Sequence, residues 1–261
     1  MIVIKFGGHA MTDEHGAFAQ AIAEAMATGV TPVVVHGGGP QIGDALKVAG
    51  IQSSFVGGFR VTTPETFDVV ERVLAGEVGP AVAQSLVAHG VDAVALSGRT
   101  SRTLIAQPLT HLVDGTPADL GLVGVVTSVN PQSIQKLVAE GKVPVISPIA
   151  TDVNGLLGYN VNADLAAAAI AGALDAQWLI IMTDVEGIYR NWPDKSSLIS
   201  SICADELESL KSSFAEGMAP KVQACLDAIS AGAKAVRIID GTNPSALKDA
   251  LLGVGGTLVV A

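Results

Sequence analysis

Pro32-Val33-Val34-Val35-His36-Gly37-Gly38-Gly39-Pro40 is the stretch whose reading decides the fold. Three consecutive β-branched valines suit a strand covered on both faces. The three glycines after them have no Cβ, so the chain turns sharply and a ligand can lie directly against backbone N–H groups. Pro40 suits the first turn of a helix, and residues 41–49 continue as one. A strand, a glycine loop and a helix N-terminus in that order bind anions, because free N–H groups and the positive helix end point the same way. A tight strand-to-helix turn without a ligand is spelled the same way, so this motif alone leaves both readings open.

Working outward, strand-like and helix-like segments alternate. Strands are expected at 2–6, 33–35, 93–96, 123–129, 143–147, 178–182, 236–239 and 257–260. Helices are expected at 17–27, 41–49, 64–75, 78–89, 130–140, 162–174, 205–210, 220–231 and 245–251, with Thr63 as an N-cap. Residues 55–62 read as a short hairpin around Gly57-Gly58, residues 99–121 as a β-rich excursion or loop, and 185–195 as a loop. Alternation with short connections implies an α/β fold, a mainly parallel central sheet with helices on both faces. No linker or low-complexity tract interrupts the chain. Motif placement suggests two lobes sharing one sheet, residues 1–175 and 176–261.

The composition narrows the class. Of 261 residues 49% are hydrophobic but only 4% aromatic, so Ala, Val, Leu and Ile must pack the core. Mean hydropathy is +0.48, yet no charge-free apolar run reaches the roughly 20 residues of a spanning helix. The most apolar candidate, 165–174, is alanine-rich and stops at Asp175. The chain opens directly on a strand, which predicts a soluble cytoplasmic protein without a signal peptide. A net charge of −10 argues against general nucleic-acid binding. Cys203 and Cys225 have no metal-ligand spacing and read as ordinary thiols, and the five histidines are scattered.

Polar and glycine-rich residues follow strand after strand: Gly7-Gly8, Gly37-Gly38-Gly39, Ser97-Gly98, Thr183-Asp184 and Asp240-Gly241. Ligands of such sheets bind beyond the carboxyl ends of the strands. Lys5 interrupts an apolar strand just before Gly7-Gly8, where a buried ammonium needs an anion or a wet cleft; a strand-end lysine snorkelling to solvent is the plainer alternative. Asn160-Val161-Asn162-Ala163-Asp164 crowds a helix entrance, where Asp164 reads either as a cap or as a carboxylate orienting lysines. Lys221 begins another helix and opposes its dipole, so a negative group nearby is expected unless it is simply solvated. Arg60, in the hairpin, suits a bidentate carboxylate clamp or an exposed surface position. Neither the G-K-[S/T] ending of a P-loop nor a G-x-G-x-x-G after the first strand is present.

Taken together, Lys5-Phe6-Gly7-Gly8, Val34-Val35-His36-Gly37-Gly38-Gly39-Pro40-Gln41-Ile42, Gly58-Phe59-Arg60-Val61-Thr62, residues 121–131, Tyr159-Asn160-Val161-Asn162-Ala163-Asp164, Thr183-Asp184-Val185-Glu186-Gly187-Ile188-Tyr189 and Gly217-Met218-Ala219-Pro220-Lys221-Val222 resemble the amino acid kinase family. The similarity runs over essentially the whole chain. It is greatest to the branch that phosphorylates the side-chain carboxylate of N-acetyl-L-glutamate in arginine synthesis. The resemblance implies a three-layer αβα sandwich, with an N-terminal lobe for the amino-acid substrate and dimerisation and a C-terminal lobe for ATP. It implies that Lys5 and Lys221 stabilise charge on the transferring phosphoryl and that Asp164 holds both lysines. Gly8 and Gly38 would offer N–H groups to phosphates, and Gly38, Gly39, Arg60 and Asn160 would hold the substrate. Thr183, Asp184, Val185, Gly187, Ile188, Tyr189 and Phe214 would line the nucleotide, and Mg²⁺ would be held mainly by the nucleotide phosphates, with no protein metal site.

Two segments depart from the family pattern. Val125 stands where many relatives carry an acidic residue, and Arg99-Thr100-Ser101-Arg102 follows Ser97-Gly98. Arginine-inhibited relatives carry an extra helix before the first strand and form hexamers; a chain starting at that strand is expected to form a homodimer through helix 64–75. Residues 240–244 and 255–257 nonetheless look like the arginine-site segment of those relatives, which leaves feedback control open. Another acceptor on the same fold (carrier-linked aminoadipate or glutamate, free glutamate, aspartate, carbamate, uridylate) and a catalytically silent anion-binding protein are the competing readings.

Overall fold

The computed structural model describes residues 1–7, 16–214 and 218–261. Its strands are β1 (Ile2–Phe6), β2 (Pro32–His36), β3 (Phe55–Val56), β4 (Phe59–Arg60), β5 (Ala93–Ser97), β6 (Leu104–Pro108), β7 (Val123–Val129), β8 (Val143–Ser147), β9 (Ile149–Thr151), β10 (Gly158–Val161), β11 (Trp178–Thr183), β12 (Ser201–Cys203), β13 (Ala235–Asp240) and β14 (Thr257–Val260). Its α-helices are α1 (Ala17–Ala27), α2 (Gly39–Val48), α3 (Pro64–Glu71), α4 (Gly79–Ala88), α5 (Gln132–Ala139), α6 (Ala163–Ala173), α7 (Ala204–Leu210), α8 (Ala219–Ser230) and α9 (Ala246–Leu251).

Among the described residues the central sheet runs β12-β14-β13-β11-β1-β2-β8-β5. Strands β13, β11, β1, β2, β8 and β5 are parallel; β14 turns antiparallel to β13, and β12 pairs parallel to β14. The mainly parallel α/β sandwich expected from the alternation is therefore present, and the halves of the chain contribute adjacent blocks of one sheet, joined where β1 meets β11.

Strand periodicity places the site. Ile2, Ile4 and Phe6 pack with Phe18, Ile22 and Leu46 on one face, while Val3 packs with Ala166, Ala167 and Val222 on the other. Side chains two apart share a face, so Lys5 follows Val3 onto the side of α6 and α8. Helix α6, Ala-Asp-Leu-Ala-Ala-Ala-Ala-Ile-Ala-Gly-Ala, is buried on nearly every side. Its small residues let α8 approach so closely that a Cβ on Gly172 would lie 2.3 Å from that of Ala231. Their C-terminal ends meet there, and their N-terminal ends, with Asp164 and Lys221, meet at the opposite end.

Three features differ from the sequence-based expectations. The 99–121 excursion contributes β6 to a closed four-stranded barrel, β10-β7-β6-β9, whose closure depends on pairings between distant segments. Ser201–Cys203 forms an edge strand with only Ile202 buried, too short to show alternation. Helices 64–75 and 78–89 are one continuous body, because a π-helical stretch at Arg72–Val78 joins α3 to α4. Pro80 lacks an N–H and its ring crowds the preceding turn; the wider π turn accommodates it. No helix among the described residues is long and apolar enough to cross a membrane.

Candidate active site

The carboxyl ends of β1, β2 and β11, the hairpin β3–β4 and the starts of α2, α6 and α8 enclose a cleft of about 420 Å³. At its floor Lys5 Nζ lies 3.0 Å from Asp164 Oδ1, and Lys221 Nζ lies 3.1 Å from Asp164 Oδ2. Lys5 also donates to the Met182 carbonyl at 3.3 Å. Gly7 leaves room for this, since a Cβ there would sit 2.9 Å from Lys5 Nζ. Asp164 is 3% exposed. Burial alone would raise its pKa, but Lys5 and then Lys221 outweigh burial and hold the carboxyl at about 2. The pull of Asp164 in turn raises the pKa of Lys221 above its ordinary value. The three groups sum to one positive charge, lodged where two helix N-termini add partial positive charge of their own.

Asp164 is free for this role because Asn162 caps α6, its Oδ1 accepting from Asp164 N at 2.9 Å and Leu165 N at 3.3 Å. The dipole conflict at Lys221, in the first turn of α8 behind Pro220, is answered by Asp164.

The glycine loop forms the adjoining wall. Gly38 precedes α2 at φ +155°, and a Cβ on it would meet Leu74 Cδ2 at 2.5 Å. Buried His36 anchors the loop: its Nδ1 lies 2.7 Å from the Gly37 carbonyl, which can only accept, so the proton sits on Nδ1. Nε2 lies 2.9 Å from Ser147 Oγ, which is also 3.1 Å from the Leu74 carbonyl in the π-helical stretch. Burial pushes the imidazole down to about 4, so it is neutral at physiological pH.

Across the cleft Arg60 is 9% exposed. Its guanidinium donates to Ser53 Oγ and, at 3.1 Å, to the Gly39 carbonyl, and lies over the Phe55 ring at 4.5 Å. Among the described residues all these partners are neutral, which leaves a nearly buried cation facing the cleft without a carboxylate. Asn160 lines the same wall.

A second pocket of about 520 Å³ is lined by Val185, Tyr189, Arg190, Asn191, Trp192, Ser213, Phe214 and Met218. Trp192 is 60% exposed and meets Tyr189 edge-on at 5.3 Å.

The structure thus brings Lys5, Gly38, Gly39, Arg60, Asn160, Asp164, Asp184 and Lys221 into one cleft and Val185, Tyr189 and Phe214 into the neighbouring pocket. Thr183 is buried at the end of β11 in register with Asp240. Gly187 and Ile188 pack against Thr257, which accepts from Ile188 N at 2.8 Å, rather than lining the pocket. Gly8 and Gly217 lie outside the described residues. Arg99 and Arg102 brace the barrel: Arg99 pairs with Glu71 at 2.7 Å and Arg102 donates to the Val153 carbonyl at 2.9 Å. Sequence reasoning missed Trp192, His36 and Ser147. An exposed aromatic in a polar loop of an aromatic-poor chain was the available signal for Trp192; nothing local marks the other two.

A family model described as the amino acid kinase family matches residues 1–240. The chain belongs to the amino acid kinase family. It is 49% identical to an acetylglutamate kinase from Nocardia farcinica, over 99% of this chain and 86% of that one. It is also 49% identical to an acetylglutamate kinase from Saccharopolyspora erythraea, over 92% and 80%. Among solved structures, smu.665 from Streptococcus mutans UA159 superposes with a TM-score of 0.83 at 27% identity, over 100% of this chain and 98% of that one. The N-acetylglutamate synthase of Neisseria gonorrhoeae, complexed with coenzyme A and N-acetyl-glutamate, gives 0.84 at 23% identity; this family member spans 59% of that longer chain. Carbamate kinase from Giardia lamblia gives 0.69 at 23% identity over 99% and 97%. These last two likenesses speak for the fold alone.

Proposed function

We propose that this protein transfers the γ-phosphoryl group of ATP to the side-chain carboxylate of N-acetyl-L-glutamate, giving ADP and N-acetyl-L-glutamyl 5-phosphate in arginine biosynthesis. The observation that carries the reading is the pair of ammonium groups held at 3.0 and 3.1 Å by the two oxygens of one buried carboxylate, facing a guanidinium without an anion. Relatives at 49% identity that carry the name acetylglutamate kinase support the choice of acceptor.

A carboxylate oxygen attacks the γ-phosphorus and the bond to the β–γ bridging oxygen breaks, so ADP leaves with that electron pair. The acceptor carboxyl, with a pKa of roughly 4.3, is already ionised near neutrality, so no general base is needed. Both reactants are anions, and catalysis amounts to alignment and charge stabilisation. Lys5 and Lys221 supply positive charge to the transferring group, Asp164 fixes their positions, and Gly38 with the α2 N-terminus offers N–H donors. Arg60 and Asn160 hold the acceptor's other carboxylate, and the Tyr189–Trp192 pocket takes the base. Magnesium comes with the nucleotide, held mainly by its phosphates, and would add charge neutralisation.

Residues 1–175 serve as the acceptor lobe and 176–261 as the nucleotide lobe, and the protein acts as a cytoplasmic homodimer through the helix beginning at Pro64. The dimer face extends to the β9–β10 turn, where Val153, Leu156 and Leu157 are exposed and Arg99 links Glu71 to the Leu156 carbonyl.

Hydroxylamine trapping tests the reaction: N-acetyl-L-glutamate with MgATP yields an acyl hydroxamate in step with ADP. ADP release only with another acceptor would move the activity elsewhere in the family, and none with any acceptor would point to an anion-binding protein without turnover.

A further inference from the structure

We infer that Thr62 is a positioning residue that sets Arg60 and Asn160 in one register; the inference rests on the cleft being the acceptor site. Thr62 is fully buried. Its hydroxyl has one proton and lies 2.8 Å from the Arg60 carbonyl, which can only accept, so the proton goes there. The remaining lone pairs of Oγ1 face Asn160 Nδ2 at 3.1 Å. The amide of Asn160 is thereby fixed with nitrogen toward Thr62. A flip would set Oδ1 against a hydroxyl whose proton is already committed. One N–H of Asn160 is spent on Thr62, and the second N–H and Oδ1 are left for other partners.

The backbone ties the same two elements. Thr62 N donates to the Leu120 carbonyl at 3.0 Å, Leu122 N donates to the Thr62 carbonyl at 2.7 Å, and Asn160 N donates to the Leu122 carbonyl at 2.9 Å. Gly121 makes this crossing possible: its φ is +69°, and a Cβ would lie 2.4 Å from the Thr62 oxygen. The hairpin carrying Arg60 and the barrel strand carrying Asn160 therefore meet at Thr62, and the hydroxyl is the one side-chain link between them among the described hydrogen bonds. Valine has nearly the same shape but leaves the Arg60 carbonyl and one N–H of the half-buried Asn160 amide short of a partner.

The test compares Thr62→Val with Thr62→Ser in the full chain. Thr62→Val should raise the N-acetyl-L-glutamate KM about tenfold, with kcat and the ATP KM within about threefold of the parent, and Thr62→Ser should restore the acceptor KM. Thr62→Ala replaces Val if the Val variant does not fold. A second readout needs no turnover: in ¹H–¹⁵N spectra the Asn160 side-chain amide protons should lose exchange protection in Thr62→Val and regain it in Thr62→Ser. An unmoved amide signal, or equal rises in both KM values that serine does not rescue, would overturn the role of Thr62. A parent protein inactive on N-acetyl-L-glutamate would count against the acceptor assignment alone, since the amide signal still decides the hydrogen bond.

Discussion

Removing the charge of Asp164 leaves Lys5 and Lys221 facing each other at the floor of the cleft without their shared counter-ion. Losing one partner of a buried ion pair costs roughly 3–5 kcal/mol. Asp164→Asn should therefore lower the stability measured by urea unfolding by about that much, and cut turnover at least 100-fold. His36 gives a pH signature. Its folded pKa, about 4, lies below the ordinary imidazole value of 6.5, so the unfolded chain takes up a proton first as pH falls. Its contribution is intact above pH 6.5 and is lost progressively down to about pH 4, about 3 kcal/mol in all. Urea midpoints should fall across that window in the parent and fall less in His36→Gln; equal slopes would contradict the assignment. At this scale Lys5 stood out because an ammonium interrupts an apolar strand, and Lys221 because it opposes a helix dipole, but each could equally be read as a lysine reaching solvent until Asp164 is seen between them. Asp164 was ambiguous, since cap and ligand look alike until Asn162 is seen to take the cap. His36 and Ser147 were not legible, because their contact spans 111 positions.

The elements were legible where the hydrophobic period was clean. The valine run of β2, the buried strands and the alanine-rich α6 follow from residue type and spacing. The barrel and the π-helical join do not, because both are set by tertiary contact rather than by local pattern. The loop after β11 carries a consequence for nucleotide binding. Trp192 and Tyr189 form an aromatic wall in the second pocket, and Trp178 is the other tryptophan, near Arg237. ADP should quench the intrinsic tryptophan fluorescence of the parent. Trp192→Phe should lose most of that quenching while raising the ATP KM a few fold; quenching that survives the substitution would place the base elsewhere.

At the scale of the molecule, the three charged groups come from both halves of the chain. Lys5 rides on β1 and Asp164 on α6, whereas Lys221 opens α8. The parallel packing of α6 on α8 and the β1–β11 join bring them together, so the site exists only when both halves share one sheet. That placement was readable in outline from polar residues recurring after successive strands, while the distances depend on how closely α6 and α8 approach. The proposed homodimer should give a light-scattering mass twice the 26.4 kDa of the chain, and a mass of one chain would contradict it. The most direct test of the central claim is the steady-state kinetics of Lys221→Ala with N-acetyl-L-glutamate and MgATP. If the two ammonium groups neutralise the phosphoryl in flight, kcat falls at least 100-fold while the acceptor KM changes no more than about threefold. A kcat close to that of the parent would contradict the account.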